Sequence, residues 1–202
     1  MLPIFISLFS ATVAFAQPEQ DLVEVRKINP SIRVELRYAA SDNFTGKPIY
    51  ENARCLLRRA VAERLSRVQK RLEKQGFGLK IWDAYRPVSA QEKLWKVTPP
   101  KRRLYVSNPA KGSKHSRGAA VDLTLVDLKG NDLPMPTEYD AFTVRAQSNY
   151  SQLSKEVVQN RTTLHNAMKA EGFIPASGEW WHFSDPGWRK YPLLDLSFEA
   201  IR

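Results

Sequence analysis

Within residues 53–75, Leu57, Val61, Leu65, Val68 and Leu72 recur at spacings of four, four, three and four, with Arg and Lys filling many positions between them. That period places the five on one face of a helix and the cations on the other, and so long an apolar stripe must be covered by the rest of the chain. Gly76 stands where such a helix would close. Around it, residues 31–38 alternate as a half-buried strand does, and residues 78–82 and 119–126 are further strand candidates, the last followed by the turn Lys129-Gly130-Asn131-Asp132. Residues 89–97 form a short expected helix after Pro87. Residues 151–171 form a longer one, with Leu153, Val157, Leu164 and Met168 on one face and Gly172 as its stop. Residues 180–183 are aromatic enough to suit a strand beside a core or cleft. Strands and helices without a regular βαβ rhythm imply an α+β fold. We expect a single domain over residues 17–202, with a mostly antiparallel central sheet flanked by helices and no repeat or linker dividing it.

Composition limits the functional classes. With 43% hydrophobic and 26% charged residues the 202-residue chain is ordinary globular protein, and Cys55, the only cysteine, excludes an intrachain disulfide framework. Residues 1–16 carry no charged side chain and end in Ala14-Phe15-Ala16, the pattern of an export signal cleaved near Ala16. They are too short to span a bilayer comfortably, so the expected address is the bacterial periplasm or exterior. The net charge of +10 gathers on the helix of residues 53–75 and at Lys101 to Arg103. A solvated cationic face accounts for it, and weak association with anionic cell wall or a membrane surface is the partner such a face could have. No groove-reading motif is present and the aromatics do not interleave with the basic run, which argues against nucleic acid.

Three histidines are available. His115 precedes Asp122 by seven residues, His182 follows Glu179 by three, and His165 sits inside an expected helix with no motif around it. Two imidazoles and a carboxylate are a ligand set that suits catalytic zinc, and a second carboxylate beside it can act as base. Spacing alone leaves Asp122 and Glu179 interchangeable, and bare His-x6-Asp and Glu-x-x-His pairs fit structural histidines as well. In a regular strand, positions 179 and 182 would also face opposite ways, so a bend is required if both reach one metal. Neither G-x-S-x-G nor H-E-x-x-H occurs, which disfavours a serine hydrolase and the common helical zinc protease site.

Four blocks carry more. RYAASDNFTGKPIY (residues 37–50), KIWDAYRPVSA (80–90), SKHSRGAAVDLTL (113–125) and GEWWHF (178–183) stand in the order in which they occur in the zinc D-alanyl-D-alanine dipeptidases, related to zinc D,D-carboxypeptidases, and the chain resembles that family across most of its length. The resemblance implies a zinc D,D-peptidase fold, one Zn2+ per chain held by His115, Asp122 and His182, Glu179 as general base and Arg86 as the oxyanion-stabilising arginine. A permanently charged, multi-donor guanidinium suits that last role, with a salt bridge to Asp83 as its structural alternative. It further implies a small D,D-dipeptide as substrate, bound through Tyr38, Asp83, Ser113 and Asp140. Each of Tyr38, Ser113 and Asp140 has a structural alternative, as a core aromatic, a local turn bond and a loop cap. Arg117, beside the ligand block, has no matching role. The family's second serine before the first ligand histidine is replaced by Lys114, which implies different carboxylate contacts. Residues 42–48 are expected to form a structural loop with Gly46 at an unusual backbone angle. The implied reaction is hydrolysis of D-alanyl-D-alanine. Trimming of D-Ala from peptidoglycan stems and non-catalytic wall binding are the alternatives.

Overall fold

The computed structural model describes residues 21–201. The expected export signal, residues 1–16, lies outside the described residues. Strand β1 (Leu22–Glu24) leads into the short helix α1 (Val25–Ile28), then β2 (Arg33–Val34), β3 (Leu56–Arg58), helix α2 (Arg59–Glu73) and β4 (Phe77–Asp83). Helix α3 (Val88–Val97), β5 (Ala120–Asp127), helix α4 (Lys155–Ala170), β6 (Ile174–Pro175) and β7 (His182–Ser184) complete it. Among the described residues no helix is long and apolar enough to cross a membrane.

Helix α2 buries Val61, Leu65, Val68 and Leu72, as its period requires, and Gly76 ends the turn behind it at φ +85°. It begins later than residue 53 because Leu56 to Arg58 pair antiparallel with Glu24 to Leu22, a strand whose residues continue the helical spacing by coincidence. Its solvated face is also less free than its sequence suggests. Arg67 and Arg71 both reach the Glu171 carboxylate at the end of α4, at 3.0 and 2.9 Å. Helix α4 starts at the Ser154 cap, whose side chain accepts from the Val157 N–H, and Gly172 closes it at φ +83°.

The five-stranded sheet has the order β2-β4-β5-β7-β6 and is mixed, not mostly antiparallel as expected. The difference lies in β2, which runs parallel to β4 because α2 intervenes and carries the chain back to the starting end of the sheet. Of the alternating residues 31–38, only Arg33 and Val34 pair as a strand, and Arg37–Ala39 form a 3-10 turn. The inner face of β4 and β5, with Leu79, Ile81, Val121, Leu123 and Leu125, packs with α2 and α4 into the main core. A second cluster, including Tyr38, Tyr50, Tyr85, Leu94 and Phe198, supports the opposite end of the sheet.

Two features at that end position the site. Pairing between β4 and β5 slips between Ile81 and Asp83, so that Asp83, not Trp82, stands opposite Asp122. Such a bulge re-aims one side chain, and with Asp122 paired to His182 it aligns three chemically active residues across three strands. The segment after β7 straps this end together. Leu194 N–H donates to the Ser116 carbonyl at 2.8 Å, Asp195 accepts from the Ser89 N–H at the start of α3, and Leu196 exchanges hydrogen bonds with the Tyr85 hydroxyl.

Candidate active site

His115 lies in a single 3-10 turn, His115–Arg117, terminated by Gly118 at φ +65°. The left-handed angle and close packing both call for glycine there, since a Cβ would meet Leu22 Cδ2 at 2.6 Å. Nδ1 of His115 lies 2.7 Å from the Ala84 carbonyl, which can only accept, so Nδ1 carries the proton and Nε2 presents its lone pair inward. That Nε2 is 3.2 Å from His182 Nδ1 and 3.4 Å from Asp122 Oδ1, and His182 Nδ1 is 2.9 Å from the same oxygen. The three donor atoms converge as a group that could hold a metal ion. Burial alone would raise the Asp122 carboxyl, but the two histidines hold it below the usual carboxylate range.

A cavity opens beside this cluster, lined also by Glu179, Arg86, Tyr38, Asp140, Tyr139 and Trp181. The bend required between positions 179 and 182 is present: Trp180 and Trp181 form a turn, closed by His182 N–H to the Glu179 carbonyl at 3.3 Å, and β7 begins only at His182. Glu179 therefore enters the cavity from before the strand. Trp180 and Trp181 are both buried and pack edge to face.

Arg86 both lines the cavity and makes the ion pair with Asp83. Its Nε and Nη2 donate to Asp83 Oδ2 at 3.0 and 2.5 Å, and its Nη1 donates to Gln91 Oε1 at 2.6 Å. A guanidinium has five N–H donors, so one on each terminal nitrogen remains for the cavity. Burial opposes its charge, but Asp83 and then Tyr50 hold it firmly protonated.

Tyr38 and Asp140 meet across the cavity, with the Tyr38 hydroxyl donating to Asp140 Oδ2 at 3.0 Å. Asp140 is one of two non-glycine residues with positive φ among the described residues, at +56°. The other two expected substrate contacts stand behind the wall. Asp83 is fully buried, its oxygens taken by Arg86 and by the Tyr50 hydroxyl at 2.7 Å. The Ser113 hydroxyl accepts from the His115 N–H at 3.2 Å and steadies the turn that carries His115. Lys114 points away, to Ser184 Oγ at 3.1 Å and the Trp188 ring, and Arg117 also packs over Trp188. His165 is structural, bonded through Nε2 to the Trp180 carbonyl at 2.9 Å. The loop of residues 42–48 is tied by Asn43 and turns at Gly46, φ +67°, while its Phe44 packs on Tyr38.

Sequence reasoning passed over three side chains that act here. Tyr139 donates to Asp122 Oδ2 at 2.9 Å, Tyr50 holds Asp83, and Gln91 holds Arg86. A lone Tyr or Gln carries no spacing signal, and only their adjacency to Asp140 and to the Arg86 block could have drawn attention.

Burial is the main cause that raises both Glu179 and Asp140 to about 7. An unfolded chain titrates these groups near 4, so the folded protein binds their protons more tightly. The resulting stabilisation is complete below the unfolded values and is lost as pH rises through 7, by about 2 kcal/mol per group between about pH 5 and 8. Urea unfolding of chelator-stripped protein is expected to show that loss, and Asp140→Asn with Glu179→Gln to flatten it. Equal pH slopes in the two proteins would contradict it.

A family model described as D-Ala-D-Ala dipeptidase, peptidase M15, matches residues 18–198. A D-alanyl-D-alanine dipeptidase of Escherichia coli (strain K12) is 41% identical over 181 residues, 90% of this chain and 93% of that protein. Those of Enterococcus faecium and Streptomyces coelicolor are 35% and 33% identical, over 75% and 81% of this chain and 85% and 91% of their own. Likeness of this extent runs through every element that builds the cavity, and the chain belongs to the D-Ala-D-Ala dipeptidase family of M15 peptidases.

Proposed function

We propose that the protein hydrolyses D-alanyl-D-alanine to two molecules of D-alanine with one zinc ion per chain. The observation that carries this is the convergence of His115, Asp122 and His182 on the cavity that Glu179 and Arg86 line. Tetrahedral zinc with bonds of about 2.0–2.1 Å sets its donors about 3.3 Å apart, and the three donors here are 2.9, 3.2 and 3.4 Å apart. When bound there, zinc supplies Lewis acidity, polarising a carbonyl and acidifying water. Glu179 takes the proton of the attacking water and returns it to the departing amine. The two remaining N–H groups of Arg86 receive the charge that develops on the carbonyl oxygen. Asp140, oriented by Tyr38, accepts the ammonium of the dipeptide, and an ionised partner there favours its carboxylate form.

The cavity is small, with about 50 Å³ of free space, and most of the side chains that line it are polar. The Tyr38–Asp140 pair favours the dipeptidase over a D,D-carboxypeptidase, whose substrate offers no ammonium at that point. A wall-binding protein without turnover would have no use for Glu179. The apolar residues 1–16 support action outside the cytoplasm, with residues 17–202 as the catalytic domain and dipeptide released from peptidoglycan as its source. Weak attachment to anionic wall or membrane surface rests on the +10 charge alone.

D-Ala release from the dipeptide is expected to stop with a chelator and return with zinc, and in cell fractions to follow the exported protein. Asp140→Asn is expected to raise the dipeptide KM about 10- to 100-fold, the worth of a charged hydrogen bond. Release from a pentapeptide stem, indifferent to Asp140→Asn, would move the assignment to a carboxypeptidase. Release from neither would leave wall binding.

A further inference from the structure

Asp122 has two oxygens, and the structure treats them differently. Oδ1 faces both His115 Nε2 and His182 Nδ1, whereas Oδ2 accepts the Tyr139 hydroxyl at 2.9 Å. The Tyr139 ring is gripped on three sides, by Trp82, Trp181 and Tyr38, with centroids 5.2, 5.6 and 5.9 Å away. A phenol so confined cannot swing aside without disturbing that aromatic packing. Its neighbour Asp140 adopts φ +56°, and both residues line the cavity, although consecutive residues of an extended strand would face opposite ways.

We infer that Tyr139 is a positioning residue of the metal centre, holding Asp122 Oδ2 so that the carboxylate presents one oxygen, Oδ1, beside the two histidines. This rests on the metal reading above. Outer hydrogen bonds to metal-binding carboxylates fix their orientation, and their loss weakens metal binding by about 10- to 100-fold. Through the turn it shares with Asp140, the same residue ties the geometry of the metal end to that of the amino end.

Tyr139→Phe removes the hydroxyl and keeps the ring contacts, so the melting temperature of the chelator-stripped protein is expected to stay near that of the parent. Tyr38→Phe is the matched control, since it removes a hydroxyl from the same cavity but from Asp140. Competition with a chromogenic chelator measures zinc affinity in each. The expected result is a zinc affinity about 10- to 100-fold weaker in Tyr139→Phe and within about twofold of the parent in Tyr38→Phe. Cobalt(II) in place of zinc gives a second readout. Its visible bands are expected to weaken in Tyr139→Phe as the released Oδ2 joins the ion and raises its coordination number, and to stay unchanged in Tyr38→Phe. Parent-like zinc affinity with an unchanged cobalt spectrum in Tyr139→Phe would overturn the inference, as would equal weakening in both variants. A parent protein that holds no zinc against the chelator would instead overturn the metal reading, and this inference with it.

Discussion

Glu179→Gln is expected to lower kcat for D-alanyl-D-alanine about 1,000-fold while zinc content and KM stay close to the parent's. The substitution preserves shape and removes only the capacity to accept and return a proton, which is worth about 100- to 10,000-fold when the acceptor is well placed. Placement is good because the Trp180-Trp181 turn delivers the carboxylate into the cavity ahead of β7. In the parent, activity should fall as pH drops, since only the ionised form serves as base and burial, the main cause, holds the carboxyl well above its usual range. Steady-state kinetics with metal analysis on the same sample checks both parts. A variant retaining a tenth of the parent's kcat would remove Glu179 from the mechanism.

Arg86→Met should be damaging twice over. On the mechanism proposed above it removes an oxyanion donor, which is expected to lower kcat about 100- to 1,000-fold. Asp83, with no exposed surface, also loses the cation that Nε and Nη2 bring to it, and a buried charge left without its partner costs about 3–5 kcal/mol of stability. The two effects separate in the double variant Asp83→Asn with Arg86→Met. There the stability should return in large part, because no buried carboxylate is stranded, while activity stays low. Urea unfolding and kcat measured on the parent, the single and the double variant give the answer. A double variant no more stable than Arg86→Met would show that the ion pair is not what holds this corner together.

The convergence of His115, Asp122 and His182 was legible because they sit in short blocks whose local chemistry is unusual: His115 and Asp122 around one turn and strand, His182 behind a pair of tryptophans. The buried stripe of α2 was legible for the opposite reason, that a helical period repeats over several turns. What escaped was whatever depends on partners distant in the chain. Leu56 to Arg58 keep the helical spacing yet pair with Leu22 to Glu24, and no local signal distinguishes the two. The parallel placement of β2 needs only two residues and was masked by the longer alternation around them. The slip at Trp82 that turns Asp83 towards Arg86 leaves no mark in the sequence, which therefore suggests a substrate contact where the structure has a buried ion pair with Arg86. Tyr139 and Tyr50 escaped likewise, since a tyrosine that steadies a carboxylate looks in sequence like any core aromatic.

The strap behind β7 contributes no side chain to the cavity lining, yet it ties together the pieces that carry that lining. Its hydrogen bonds from Leu194 and Asp195 secure the turn that carries His115 and the start of α3, and Leu196 locks Tyr85 one residue before Arg86. The side chains that face the cavity thus keep their places through a segment that is not part of its lining, and the far end of the chain closes the fold around the site.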